Sequence, residues 1–336
     1  MIHKYYFFLK TIALFTVSWY NFIGDNMQNL KIHFLNTIWS DAIVLESNGK
    51  YCMVDTGSSF YYPMVEKHLK DLGVEKLEFI ILTHFHTDHY GNLKNIINDF
   101  KVEKVYLKHY HGLDGTTSSG YASNEEYIEN EFKNFYAILD SAKTRATDIV
   151  YMDDFGLDMI DVCFGDVTLE IWDAKNRLYD LYSDPNSNFY QEKRFNENFN
   201  SAAVFIKVNG HNVFLGGDMT CSKTDIEEVK GLSIKIINEI YKSHNINHID
   251  VYKSCHHGGG GTNTAELCDL LKANYCIITN TARWLDTYNT FDNLRIANSN
   301  VEILPTDFQK YIFNFNEEIT YEVIKEDSLF ITLNKN

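Results

Sequence analysis

The sequence predicts an α/β protein built of layered sheets covered by helices, and three observations carry that reading. Short apolar runs of strand character recur along the chain, interleaved with stretches of helical spacing. Both halves run strands and then helix, the order of a pseudo-duplicated sandwich. Residues of metal-ligand type fall directly after strand-like runs, where a layered sheet presents one shared rim.

The bounds agree. With 336 residues, 45% of them hydrophobic, the chain can bury a sizeable core as one large domain or two small ones. A net charge of −16 without any basic run argues against a general nucleic-acid surface, because phosphate contacts need clustered Lys and Arg. The six cysteines are scattered with no C-x-x-C pair, as buried thiols of a reducing compartment would be. Residues 5–23 are largely apolar behind Lys4, like a signal peptide or anchor, but Lys10, Thr11, Ser18 and Asn21 interrupt them. Met27 stands just before the first convincing strand. The expected division is therefore a dispensable extension over 1–26 and a domain over 27–336. That places the protein in the cytoplasm; membrane anchoring or export through 5–23 is the alternative.

In chain order, Leu30–Leu35 alternates and reads as a strand. Ala42–Ser47 and Lys50–Val54 form a hairpin about Asn48-Gly49. Met64–Leu72 has helical spacing and Gly73 a C-cap position. Strands follow at Phe79–Leu82 and Val102–Leu107, with a helix after Asn92 between them. A helix is expected over roughly 123–146, then strands near 149–152, 158–163 and 167–172. Ala174–Asn200 is polar and reads as a long loop, either a substrate cover or a mobile surface excursion. A hairpin spans 202–215, a helix runs from Lys223 to about Glu239, and strands recur at 249–252 and 275–278 around a helix at 265–271. The tail ends in strands near 310–315 and 329–333.

The chemistry concentrates in Thr83-His84-Phe85-His86-Thr87-Asp88-His89, just past the apolar strand Phe79–Leu82. Imidazole and carboxylate are the ligands that borderline divalent metals prefer. Alternate residues point the same way, so His84 and His86 can aim at one ion while Asp88 and His89 face a second, about 3.5–4 Å away. A solvated polar turn is the competing reading, and four such ligands rarely collect at this spacing by chance. Asp218, behind Gly216-Gly217, is a turn residue by itself; beside the histidine cluster it is a carboxylate able to bridge two cations. His256-His257 end another strand and can supply imidazole to the second ion. Gly258 to Gly261 then let backbone N–H groups approach a bound anion, unless they form only a flexible loop.

His-x-His-x-Asp-His, followed in order by Gly217-Asp218 and His256-His257-Gly258, resembles the motif set of the metallo-β-lactamase fold hydrolases. That resemblance implies a four-layer αββα sandwich and a site for two Zn2+ ions, with Mn2+ possible. It implies His84, His86, Asp88, His89, Asp218 and His256 as ligands. Asp88 would also relay a proton, and His257 would stabilise the transition state. Many members place a further histidine before the bridging aspartate. Here Asn198, Asn200 and Ser201 stand instead, as in the subgroup that includes the hydrolase domain of bacterial DNA-uptake channels. His109 and His111 read as loop residues. The likeness is greatest to the catalytic module of teichoic-acid phosphorylcholine esterases, from Lys31 to about Ala282. The choline-binding repeats of those esterases have no counterpart here. It implies Asn200, Gly258 and Trp284 at the substrate, Trp284 through cation–π contact with a trimethylammonium group or else as core packing.

The expected activity is thus metal-assisted hydrolysis of a small-molecule or cell-envelope phosphodiester. A nuclease of the DNA-uptake type, a lactonase or β-lactamase, and a silent scaffold are the rivals. No strong nucleic-acid surface is expected, and a membrane partner only if residues 1–26 act as an anchor.

Overall fold

The computed structural model describes residues 27–112, 125–186, 196–220, 231–259, 261–281 and 289–326. The expected extension over 1–26, the strand near 329–333 and Trp284 lie outside them. Among the described residues no helix is long and apolar enough to cross a membrane.

The first half carries β1 (Lys31–Phe34), β2 (Ala42–Ser47), β3 (Lys50–Thr56), α1 (Tyr62–Asp71), β4 (Lys76–Leu77) and β5 (Phe79–Ile81). It continues with α2 (Thr87–Tyr90), α3 (Leu93–Asp99), β6 (Lys101–Val102), β7 (Lys104–Leu107), α4 (Glu125–Thr144) and β8 (Asp148–Tyr151). The second half carries β9 (Met159–Phe164), β10 (Val167–Trp172), α5 (Arg177–Ser183), β11 (Ala203–Val208), β12 (His211–Leu215), α6 (Leu232–His244) and β13 (Val251–Lys253). After these come α7 (Ala265–Leu271), β14 (Tyr275–Ile278), α8 (Thr290–Ala297), β15 (Glu302–Pro305), β16 (Gln309–Phe315) and β17 (Ile319–Lys325). One sheet has the order β17-β16-β1-β2-β3-β5-β7-β8 and the other β15-β14-β13-β12-β11-β10-β9. β4 and β6 form a separate parallel pair.

Side-chain alternation sorts the sheets into layers. Ile43, Leu45, Cys52, Val54, Phe79 and Ile81 point inward, against Val204, Ile206, Val213, Leu215, Val251 and Ile277 of the facing sheet. Their neighbours Val44, Met53 and Ile80 point outward to Leu69 of α1, Ile96 of α3 and Leu139 of α4. On the far side Phe205, Phe214, Tyr252 and Cys276 pack on α6, α7 and α8. The expected four-layer αββα sandwich is therefore present.

Local chemistry accounts for the elements. Asn48 and Gly49 both have positive φ (51° and 69°), as the tight β2–β3 hairpin requires. Three expectations change. The stretch read as a loop over 174–200 contains α5, capped by the Asn176 side chain on the Tyr179 N–H, and a 3-10 turn over Glu197–Asn200. Its polar composition hid a capped helix. The strand expected over 102–107 is divided between two sheets at Glu103. β17 was not expected, because it is an edge strand whose residues are mostly exposed, which removes the apolar signal.

Candidate metal centre

Strand ends converge on one edge of the sandwich. Asp55, whose backbone adopts φ 56°, is the penultimate residue of β3, and β5 runs into Thr83. The Thr83 N–H donates to Asp55 Oδ1 and its hydroxyl to Asp55 Oδ2, each at 2.8 Å, which ties the two ends together. α2 then presents Asp88 and His89 in its single turn, and the His89 carbonyl is held by Thr56 Oγ1 at 2.8 Å. From the facing sheet, β12 leads to Asp218 and β13 to Lys253, followed by the turn Cys255–Gly258. Gly216 is required there, since a Cβ would meet Cys255 Sγ at 2.4 Å. His256 and His257 both adopt left-handed φ, 48° and 51°. Non-glycine residues hold that conformation only when their surroundings enforce it.

Among the described residues two groups of ligand atoms result: His84, His86 and Asp218, and Asp41, His89, Asp218 and His257. Within each group the atoms lie within 4.8 Å of one another, and Asp218 belongs to both. Asp218 Oδ1 faces His89 Nε2 at 3.2 Å, and its Oδ2 lies 3.8 Å from His84 Nε2 and 3.6 Å from His257 Nε2. Asp88 Oδ2 is 3.2 Å from His257 Nε2, while Asp88 Oδ1 is buried with no hydrogen-bond partner. Ligands on one tetrahedral ion stand about 3.3 Å apart, given bonds of about 2.0–2.1 Å. These separations, the N/O donor set and the unsatisfied carboxylate oxygen fit bound cations.

The protonation pattern fits as well. Burial, with His89 and His86 alongside, keeps His84 well below the usual histidine range, hence neutral. Burial opposes charge on His89, but the Asp218 and Asp55 carboxylates outweigh it and hold His89 well above that range. At His257 burial is outweighed by Asp218 and Asp41, which push it up to about 9. Two buried imidazolium groups thus balance buried carboxylates, and ion binding would displace their protons.

The structure brings His84, His86, Asp88, His89, Asp218 and His257 together. His256 stands at the edge, with Nε2 3.9 Å from Asp218 Oδ2 and 3.4 Å from Asn198 Nδ2. The Asn200 carbonyl accepts from the buried Lys108 Nζ at 2.7 Å, and Asn198, two residues earlier in the turn, is the asparagine whose side chain lies against His256. Gly258 is buried and its carbonyl accepts from Thr290 Oγ1 at 2.6 Å; the Gly259 N–H is spent on the His256 carbonyl at 2.8 Å. His109 stacks on Tyr151 and His111 on Tyr179, away from the ligand groups. Sequence reasoning missed Asp41, Asp55, Lys253 and Thr279. Asp55 and Lys253 also stand at strand ends, the signal that found the others.

Residues 40–156 match the sequence model of the metallo-beta-lactamase superfamily. No curated protein matches the chain. Among similar solved structures, the metallo-beta-lactamase fold protein YhfI from Bacillus subtilis aligns over 88% of this chain and 100% of its own, at 12% identity and a TM-score of 0.48. A CmlA beta-hydroxylase mutant aligns over 88% of this chain and 54% of its own, at 13% identity and a TM-score of 0.48. A diphosphatase from the PhnP family aligns over 86% and 100%, at 11% identity and a TM-score of 0.43. The fold is the metallo-β-lactamase fold, with a buried His/Asp centre able to bind metal ions.

Proposed function

We propose that this protein is a dinuclear-metal hydrolase that cleaves a small-molecule or cell-envelope phosphodiester. The observation that carries the reading is Asp218, one carboxylate shared by two adjacent ligand groups, each of which draws residues from both sheets. His84, His86 and Asp218 would hold one ion, with His256 closing the position that the segment Asn198–Ser201 leaves without a histidine. Asp88, His89, His257 and Asp218 would hold the other. His257 is thereby a ligand rather than the stabilising group that the motif alone suggests, because it is the more deeply buried of the pair and faces Asp88 and Asp218. Zn2+ suits the donors, with Mn2+ as alternative. Such a pair supplies Lewis acidity and a water of lowered pKa.

Charge favours an anionic substrate. Asp41, Asp55, Asp88 and Asp218 place four carboxylates at the centre, against one buried ammonium from Lys253. Once ion binding has displaced the His89 and His257 protons, two divalent ions would turn that deficit of three into a surplus of one, which attracts a phosphodiester. Asp88 Oδ1 is positioned to hold the proton released in the reaction.

The test is a substrate panel with Zn2+- or Mn2+-loaded protein: bis(p-nitrophenyl) phosphate, p-nitrophenyl phosphate, p-nitrophenyl phosphorylcholine, single- and double-stranded DNA, and nitrocefin. Diester turnover that a chelator abolishes and added metal restores is expected. Turnover confined to nitrocefin or DNA would reassign the substrate, and protein that retains no metal would remove the enzyme reading.

A further inference from the structure

Lys253 is fully buried at the end of β13, on the floor of the candidate centre. Its Nζ is ion-paired with Asp41 Oδ2, donates to the Gly217 carbonyl at 3.1 Å and lies 4.0 Å from Asp218 Oδ1. The other oxygen of Asp41 accepts from Thr279 Oγ1 at 2.6 Å and stands 3.2 Å from His257 Nδ1. Thr279 Oγ1 itself is 2.9 Å from His257 Nδ1. The backbone is pinned too, by the Asp41 N–H on the Asp88 carbonyl at 3.1 Å. By distance alone Asp41 belongs to the ligand group around His89, Asp218 and His257. One of its oxygens is nonetheless hydrogen-bonded to Thr279, and the other, buried with no hydrogen-bond partner, is engaged by the Lys253 ion pair.

We propose that Asp41 is not an ion ligand: Lys253 and Thr279 hold its carboxylate so that it orients His257, and Lys253 is the positioning residue that keeps it off the metal pair. The inference rests on the dinuclear reading above. A fixed ammonium beside a carboxylate competes with any cation for that carboxylate. The His257 Nδ1–H is then shared between Asp41 Oδ1 and the Thr279 hydroxyl oxygen, whose own proton goes to Asp41, and this turns the Nε2 lone pair toward Asp88 and Asp218, where a ligand is needed. Partners of this kind fix the tautomer and raise the basicity of the imidazole. Lys253 reaches the same result from both sides, since it also braces the peptide just before Asp218.

The experiment is metal analysis of purified Asp41→Asn and Lys253→Met proteins, with visible absorption of the Co2+-substituted forms and steady-state kinetics on a chromogenic diester. Asp41→Asn is expected to keep two ions per chain and the wild-type Co2+ spectrum, while kcat falls about 10–100-fold and KM holds. Lys253→Met frees the carboxylate to enter the coordination sphere, so its Co2+ bands weaken as the coordination number rises. If Lys253→Met does not fold, the Asp41→Asn stoichiometry decides alone. Two ions in the wild type but one in Asp41→Asn overturns this inference and leaves the dinuclear reading standing. A wild type that binds no ion overturns both.

Discussion

Asp55 Oδ2 lies 2.7 Å from His89 Nδ1 and joins residues 34 apart in the chain, with the imidazole fully buried. The contact leaves His89 Nε2 directed at Asp218. Asp55→Asn removes the acceptor charge and permits the wrong tautomer. We expect metal affinity to fall about 10–100-fold, as for other carboxylates behind a ligating histidine. Competition with a chromophoric chelator measures it, and an unchanged circular dichroism spectrum separates the loss from unfolding.

Lys108 anchors the turn Glu197–Asn200 beside the candidate centre. Its buried ammonium holds the Asn200 carbonyl at 2.7 Å and faces Asp173, whose Oδ2 is 3.9 Å away. Lys108→Met strips a charge partner from a buried carboxylate. A loss of about 3 kcal/mol in urea unfolding is expected, toward the lower end of broken buried pairs because Arg177 also neutralises Asp173. A stability within error of wild type would show that the 196–201 turn does not depend on this lysine.

A second histidine pair lies away from the candidate centre. His68 Nε2 and His33 Nδ1 are 3.1 Å apart between α1 and β1. Burial, then Lys31 and Lys310, lower His33 to about 4; burial, then Lys310 and His33, lower His68 to about 3. The folded state therefore refuses protons that the unfolded chain accepts below about pH 6.5. The stability that the pair contributes is full above that pH and is lost as pH falls through about 4. Wild type should lose about 2 kcal/mol per histidine between about pH 7 and about pH 5. His68→Gln should show a shallower decline when urea midpoints are compared at those two values.

The sandwich was legible because its inner strands are buried on both faces or alternate cleanly, as Ile43–Leu45 and Val204–Val208 do. The ligand motif was legible because His84, His86, Asp88 and His89 fall within six consecutive residues. What sequence reasoning missed depends on contacts between distant segments. Asp41 precedes a strand and looks like loop, and only the packing of β14 against it supplies Thr279. Asn198 and Asn200 are equivalent as letters; only the folded turn sets the Asn198 side chain against His256 and the Asn200 carbonyl on Lys108. The order of His256 and His257 could not be read either, because both left-handed φ values arise only in the folded turn.

The two jaws of the centre come from different sheets. Asp41, Asp55, His84, His86, Asp88 and His89 lie before residue 156, whereas Asp218, Lys253, His256 and His257 lie beyond it. The stretch that matches the superfamily, 40–156, thus carries one jaw alone. A fragment cut there would keep the signature letters yet lack Asp218, the carboxylate common to both ligand groups. Any cation gripped at the seam would act as a rivet between the halves, so that losing it and letting them part become a single event.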